Sequence, residues 1–182
     1  MWLYRGQSRP PFAHEPGPGQ ESVWDYPRPP RIVPDSRLVE VKSAGAVIAS
    51  STSTVRVLET ASPPTFYLPP DAVDWTKLLR AKGSSICEWK GIATYWALLC
   101  SPELGAVGWS YDSPTSAFER ICSYISFYPA KVACYVSGER VLPQPGGFYF
   151  YFVRLVLLCQ ITYPTLLYSL SGCLRWAESV AD

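Results

Sequence analysis

Short runs of alternating apolar and polar residues dominate the chain from Leu38 to about residue 142. Val39 and Val41 alternate with Glu40 and Lys42, which is the period-2 pattern of a half-buried strand. Similar runs, separated by glycine, proline or serine, occur at residues 46–49, 55–59, 65–68, 86–90, 92–99, 106–111, 132–136 and 139–142. This spacing predicts a mainly β domain over about residues 35–149.

One segment has a helical pattern instead. Ser113 is placed as an N-cap and Pro114 as the first helical residue. A single apolar stripe follows, with spacing i, i+3, i+4, i+7, at Phe118, Ile121, Cys122 and Ile125. We therefore predict one amphipathic helix at about residues 114–127, within a mainly β (α+β) fold. A shorter helix is predicted over residues 71–79.

The first 34 residues differ from the rest because they hold eight of the 18 prolines. Proline fixes φ and disfavours a helix in the residue before it, so we expect an extended arm over residues 1–34. Trp24 and Tyr26 give this arm something to bury. We prefer an arm laid across the domain to a proline-rich ligand for another protein.

Composition excludes several classes of function. The formal net charge is +1 and lysine and arginine occur singly, so no field favours nucleic acid. No two of the six cysteines are closer than twelve residues, and the one histidine, His14, lies in the arm. This spacing predicts neither bound metal nor cofactor. No apolar leader is visible at the N-terminus, so we expect a cytoplasmic protein with reduced cysteines.

A series of motifs carries a family resemblance. The motifs are Val55-Arg-Val-Leu-Glu-Thr60, Pro63-Pro-Thr-Phe-Tyr-Leu-Pro69, Cys87-Glu-Trp-Lys-Gly91, Ala93-Thr-Tyr-Trp96, Trp109-Ser-Tyr111, Phe127-Tyr-Pro129 and Gln144-Pro-Gly-Gly-Phe-Tyr149, preceded by residues 17–30 of the arm. In this order they resemble the family called domain of unknown function 427. The resemblance implies a small β-tent-like mixed sheet, here without the paired cysteines of zinc-binding relatives.

The family also carries a nucleotidyltransferase-like label. Two-metal nucleotidyl transfer needs closely spaced carboxylates to hold the cations. The chain contains no D-x-D or D-x-E sequence and no phosphate-binding loop of the G-x-x-x-x-G-K-[ST] type. The residues therefore give this label no support.

The chain departs from the family pattern after Tyr149. Residues 150–182 begin with a largely apolar stretch, and no acidic residue occurs between Glu139 and Glu178. A membrane contact through residues 150–170 is the less favoured interpretation, because Arg154, Gln160 and Pro164 interrupt the stretch. We expect an atypical tail that adds little to the core, such as a read-through or mis-joined coding segment.

Two cations within apolar strands, Arg56 and Lys90, are the leading site candidates, because an unpaired charge there is costly. The alternative is that each reaches solvent or pairs with Glu88 or Glu59. A functional pocket would bind an anion or a carbonyl group. Its tentative ligand-binding residues are Arg56, Glu59, Tyr67, Lys90, Tyr95, Trp96, Trp109 and Tyr111.

Two classes of function follow from these residues. The first is a non-enzymatic module that binds an unknown small molecule or a partner through an aromatic and cationic cleft. The second is an enzyme acting on a small anionic or nucleotide-like substrate. We favour the first, because the sequence shows no carboxylate pair, no histidine-based dyad and no metal cluster; no catalytic residue is assigned.

Overall fold

Twelve strands make up most of the described chain. The computed structural model describes residues 3–143, together with the backbone of residues 152–154. The strands are β1 (Arg31–Asp35), β2 (Val39–Ser43), β3 (Ala46–Ser51), β4 (Thr54–Glu59), β5 (Ser62–Tyr67), β6 (Leu78–Cys87), β7 (Gly91–Leu98), β8 (Ser101–Ser110), β9 (Ile125–Phe127), β10 (Ala133–Val136), β11 (Glu139–Pro143) and β12 (Phe152–Arg154). Short 3-10 helices cover Val23–Asp25, Pro70–Ala72, Trp75–Lys77 and Ser116–Ile121. The predicted mainly β class is confirmed.

The strands form three antiparallel sheets in the part of the chain that the structure describes. Their orders are β1-β4-β5, β12-β11-β10-β2-β3 and β6-β7-β8-β9. The predicted mixed sheet is therefore wrong for these strands. Short turns join most sequential strands, and such connections favour antiparallel pairing. The one parallel contact described is an isolated bridge between Tyr111 and Cys122.

The predicted amphipathic helix at residues 114–127 is also wrong. A six-residue 3-10 helix, Ser116–Ile121, takes the first half of that segment, and strand β9 takes the end. Phe118 and Ile121 are buried, which satisfies the i, i+3 spacing of a 3-10 turn as well as that of an α-helix. Ser123 has a φ of 62°, and this left-handed backbone ends the helical path, so that β9 can pair with β8.

The segment at residues 71–79 is likewise not one helix. It contains the two short 3-10 helices Pro70–Ala72 and Trp75–Lys77, after which β6 begins at Leu78. The side chain of Asp74, rather than Asp71, caps the second of them by accepting from the Thr76 amide.

The four-stranded sheet separates two apolar cores. On one face lies the main core, which includes Val39, Ile48, Leu98, Ile125 and Phe127 and is covered by β2, β3 and β10. On the other face lies the aromatic core, formed by Val55, Val57, Tyr67, Ala93, Trp109, Tyr111, Phe118 and Ile121. Because successive residues of a strand point to opposite faces, strand β7 supplies both cores, with Ala93 in the aromatic core and Leu98 in the main core.

The arm packs on the outer side of β4. Val23 and Tyr26 are buried against Leu58, and the Thr60 hydroxyl donates to the backbone carbonyl of Tyr26 at 2.5 Å. Ion pairs join the two as well: Arg56 of β4 lies 2.8 Å from Glu21. The arm is therefore part of the folded structure rather than an attached segment.

Most of the predicted tail lies outside the described residues. The motif at residues 144–149 also lies outside them. The same holds for residues 155–170, which are part of the segment with the less favoured membrane contact. The backbone of β12 is described, and it pairs with β11, with Leu142 opposite Val153. Three residues beyond Tyr149 thus extend the five-stranded sheet. No helix within the described ranges is long and apolar enough to cross a membrane.

Candidate functional site

Four of the predicted site residues meet in the aromatic core. Tyr67 comes from β5, Tyr95 from β7 and Trp109 from β8, with Tyr111 directly after β8. The ring centroids of Tyr67 lie 6.3 Å from Trp109 and 6.5 Å from Tyr111. Tyr95 and Trp109 are direct cross-strand partners, so their side chains share one face. The structure thus brings these four of the predicted site residues together.

The hydroxyl groups of Tyr67 and Tyr128 are held in neutral form. Burial raises the pKa of Tyr67 far above its ordinary value, although hydrogen bonds from Trp109 and Tyr111 act in the opposite direction. Burial, followed by the neighbouring Tyr95, also raises the pKa of Tyr128. Tyr67 and Tyr128 therefore act as packing and hydrogen-bonding groups at neutral pH, not as bases. The Tyr95 hydroxyl shares a 2.7 Å hydrogen bond with Ser85 Oγ at the outer edge of the cluster.

Lys90 lies at the margin of the same cluster, in the turn between β6 and β7. The residue is only 9 % exposed, and its ammonium nitrogen lies 5.6 Å from the centroid of the Phe118 ring. No carboxylate or hydrogen-bond acceptor contacts that nitrogen within the described residues. Cation–π attraction offsets part of the cost of removing the charge from water. The Lys90 ammonium nitrogen is not among the buried described atoms that lack a partner, so it keeps contact with solvent.

Trp89, next to Lys90, also contacts the aromatic core and carries an unmet donor. Its indole Nε1 is buried and has no partner in the described structure. Strand β6 ends at Cys87, and Trp89 and Lys90 form a turn. Both side chains therefore reach the aromatic core, Trp89 directly and Lys90 at the Phe118 ring.

Contacts from two other segments hold this turn in place. The Thr115 hydroxyl donates to the Trp89 carbonyl at 2.5 Å, and the Thr115 amide donates to the Lys90 carbonyl at 3.3 Å. From the arm, the Arg28 guanidinium lies 3.2 Å from Glu88 and 3.0 Å from Glu59. The two donors therefore sit on a fixed backbone.

Arg56 and Glu59 are not brought into this group. Val55 and Val57 point into the aromatic core, and Arg56 between them points to the arm, where it lies 2.8 Å from Glu21 and 2.9 Å from Asp35. Neither predicted carboxylate partner is used, because Glu59 and Glu88 both contact Arg28. Arg56 is thus a structural cation beneath the arm, and it does not share a cleft with Lys90.

Trp96 is likewise separated from the group, since it points to the main core. Its ring centroid lies 4.8 Å from that of Trp75, and its Nε1 donates to Ser110 Oγ at 2.9 Å. Ser110 and Thr94 in turn donate to opposite oxygens of Asp112, at 3.3 Å and 2.8 Å. This network joins β7 to the end of β8 and satisfies its own polar groups.

A groove that the sequence analysis missed lies at the other end of the four-stranded sheet. It has a volume of about 510 Å³ and contains one predicted residue, Tyr95. Its other lining residues are Leu79, Arg80, Ala81, Lys82, Ala97, Pro102, Gly105 and Ala106. The signal in the sequence was the pair of cations spaced two apart in an apolar strand, at Arg80 and Lys82.

Potential metal ligands do not converge in the described ranges, where no group of three histidine, cysteine, aspartate or glutamate side chains is found. Cys134 is buried, and burial raises the pKa of its thiol. Cys87 is partly buried against the aromatic core and is a free thiol.

Comparison with protein families gives a match over much of the chain. The family model described as a domain of unknown function (DUF427) matches residues 31–138, which is more than half of the chain. The matched range contains the aromatic core, the Lys90 turn and the groove. No curated protein matches the chain.

Proposed function

The chain belongs to the domain of unknown function 427 family, and from that premise we propose that it is a non-enzymatic module that binds a small anionic ligand beside Lys90. The observation that carries the proposal is the environment of Lys90, a nine-tenths buried cation with an aromatic ring beside it and no described carboxylate. Buried lysines are usually paired. An anion supplied from solution would complete the pair.

Lys42 shows what a satisfied lysine looks like in this protein. Its ammonium nitrogen lies 5.2 Å from the centroid of the Tyr135 ring and 3.1 Å from Glu40. Lys90 has the same kind of ring contact but lacks the carboxylate. The difference between the two supports a role for Lys90 in taking up an oxyanion, most simply a carboxylate or phosphate group.

The Trp89 indole supports the same ligand class. An unpartnered buried N–H costs roughly 1–3 kcal/mol, and a ligand oxygen would remove that cost. Because the turn is fixed by Thr115 and Arg28, little ordering would accompany binding. The predicted residues Tyr67, Tyr95, Trp109 and Tyr111 then serve as the packed wall behind the site, while Arg56, Glu59 and Trp96 support the fold around it.

Thermal shift measurements test the proposal. Inorganic phosphate and benzoate are added to the full chain at constant ionic strength, with chloride as the reference salt. We expect one of these anions to raise the melting temperature of the wild type and of Lys42→Gln, and to lose that effect in Lys90→Gln. Equal shifts in all three proteins would overturn the proposal.

The enzymatic alternative, a nucleotidyltransferase-like activity on a small anionic or nucleotide-like substrate, is tested in the same assay. Joint stabilisation by a nucleotide and Mg²⁺, larger than by either alone, would favour it.

We also propose a β-tent-like arrangement of the sheets and a cytoplasmic location. The three antiparallel sheets support the β-tent-like arrangement that the resemblance implies, and the four free cysteines among the described residues suit a cytoplasmic location.

A further inference from the structure

From the groove at the far end of the four-stranded sheet we infer a second binding site, for an unbranched aliphatic carboxylate. The groove and Lys90 lie at opposite ends of β7. Gly91 and Ala97 are six residues apart in an extended strand, which corresponds to roughly 20 Å. The inference therefore does not depend on the anion site proposed at Lys90, although Tyr95 contacts both regions.

The floor of the groove is a row of apolar side chains across three strands. Leu79 of β6 is the direct partner of Ala97 in β7, and Ala97 is the partner of Ala106 in β8. Direct partners share a face, so the three side chains lie side by side. Two alanines next to a leucine leave a depression, and Pro102 closes one side of it. A hydrocarbon chain fits such a floor without needing hydrogen bonds.

The rim of the groove carries one free positive charge. Arg80 and Lys82 both line the groove, but Arg80 is the direct partner of Trp96, so its side chain points to the face opposite the floor. Arg80 is already engaged, since its Nη2 donates to Thr94 at 3.0 Å and to Asp112 at 3.2 Å. Lys82 has no ion pair or hydrogen bond within the described residues. The groove thus offers one uncompensated cation beside an apolar floor, which matches a monoanion with a hydrocarbon tail.

The shape of β6 favours a small amphiphile over an added peptide strand. β6 is an edge strand, and an open edge can pair with another chain. However, its register against β7 shifts between Arg80 and Ser84, and Gly83 has a φ of 87°. Such an irregularity interrupts the row of backbone groups that strand addition requires.

Octanoate, titrated into the full chain below its micelle-forming concentration, is the probe. Octan-1-ol tests whether the charge matters, and acetate tests whether the hydrocarbon chain matters. We expect octanoate alone to saturate and to shift the backbone amide resonances of Ala97, Gly105 and Ala106. The dissociation constant is measured by calorimetry.

Two variants probe the two halves of the site. Lys82→Gln should weaken octanoate binding by about fivefold or more, as expected for loss of one charge contact. Ala106→Leu should block the groove by filling its floor. Arg140→Gln, which removes an exposed cation on the five-stranded sheet, and Lys90→Gln should both leave octanoate binding unchanged.

The possible results distinguish binding in the groove from binding elsewhere. Equal binding of octanoate and octan-1-ol, an unchanged dissociation constant in Lys82→Gln, or resonance shifts confined to other surfaces would each overturn the inference. Loss of octanoate binding in Lys90→Gln would assign the ligand to the first site instead. Strand addition would appear as line broadening along β6 on adding a peptide, with no saturable response to octanoate.

Discussion

The indole nitrogen of Trp109 donates a hydrogen bond of 3.1 Å to the hydroxyl of Tyr67, and both groups are buried within the aromatic core. Tyr67→Phe removes the acceptor and leaves the Trp109 N–H without a partner. We expect the free energy of unfolding to fall by about 1–3 kcal/mol. Urea denaturation measures it. Tyr135→Phe, at a partly exposed position on the five-stranded sheet, is the control, and an equal loss there would show that the bond is not responsible.

Replacing Lys90 by an uncharged residue should change the free energy of unfolding. Lys90→Met keeps the length of the side chain and removes a charge that has no described carboxylate, so we expect a gain of roughly 1 kcal/mol in unfolding free energy. Lys42→Met should give no gain, because it breaks the contact with Glu40. A clear loss of stability in Lys90→Met would mean that the ammonium group is already satisfied in the fold.

Acid should loosen the arm. Burial opposes ionisation of Glu21, but hydrogen bonds from Arg56 and Tyr26 outweigh it, so its pKa lies below the ordinary value of 4.5. Burial also opposes ionisation of Asp35, but hydrogen bonds from Arg37 outweigh it, so the pKa of Asp35 lies below its ordinary value of 3.8. A carboxyl group whose pKa is lower in the folded state stabilises the fold at pH values above its unfolded-state pKa. That stabilisation is lost as the pH falls through the folded-state pKa.

The expected result is a stability plateau above about pH 5 and a progressive loss below pH 4.5 that continues past 3.8. Intrinsic tryptophan fluorescence, to which Trp24 of the arm contributes, follows this change alongside the melting temperature. Glu21→Gln should flatten the upper part of the acid transition. An unchanged transition in that variant would show that other carboxylates control it.

Two glycines should respond differently to alanine. A Cβ on Gly108 would lie 2.6 Å from the backbone oxygen of Ser126, which is fixed in β9. Gly45 has a φ of 80° but open space around it. We expect Gly108→Ala to cost at least about 3 kcal/mol and Gly45→Ala about 1–2 kcal/mol. Thermal denaturation shows which of the two variants loses more stability. A larger loss in Gly45→Ala than in Gly108→Ala would contradict the packing of β8 against β9.

Metal analysis remains a separate prediction from the cysteine spacing. We expect no stoichiometric zinc in the purified full chain. Elemental analysis by mass spectrometry measures this, with Cys87→Ser and Cys134→Ser as variants. Stoichiometric zinc lost in either variant would show that the prediction is wrong.

The strands were predictable because their signal is local. Alternation at Val39–Ser43 and the apolar runs around Tyr95 and Trp109 reflect which faces are buried. The helix at 114–127 failed for a non-local reason. Ile125 satisfies a helical stripe and a strand equally well, and the pairing of β9 with β8 decided between them.

The site was predicted only in part for the same reason. Tyr95 and Trp109 come from adjacent strands close to Lys90 in the sequence, whereas the partners of Arg56 lie 35 residues away at Glu21 and at Asp35 across the sheet. Ion-pair choice depends on tertiary placement, which alternation does not encode. The groove depends on a register that brings Ala97 beside Ala106, and small side chains give no pattern of their own.

The double contact of Arg28 bears on how members of this family are studied. The family match begins at residue 31, yet Arg28 joins Glu59 to Glu88 and Glu21 neutralises Arg56 from the same outlying segment. A fragment cut at the family boundary would expose Leu58, leave Arg56 with one carboxylate fewer and remove one of the two supports of the turn that carries Trp89 and Lys90. The packed structure extends beyond the matched residues, so a ligand screen on the shorter fragment would test a surface that lacks the contacts of the arm.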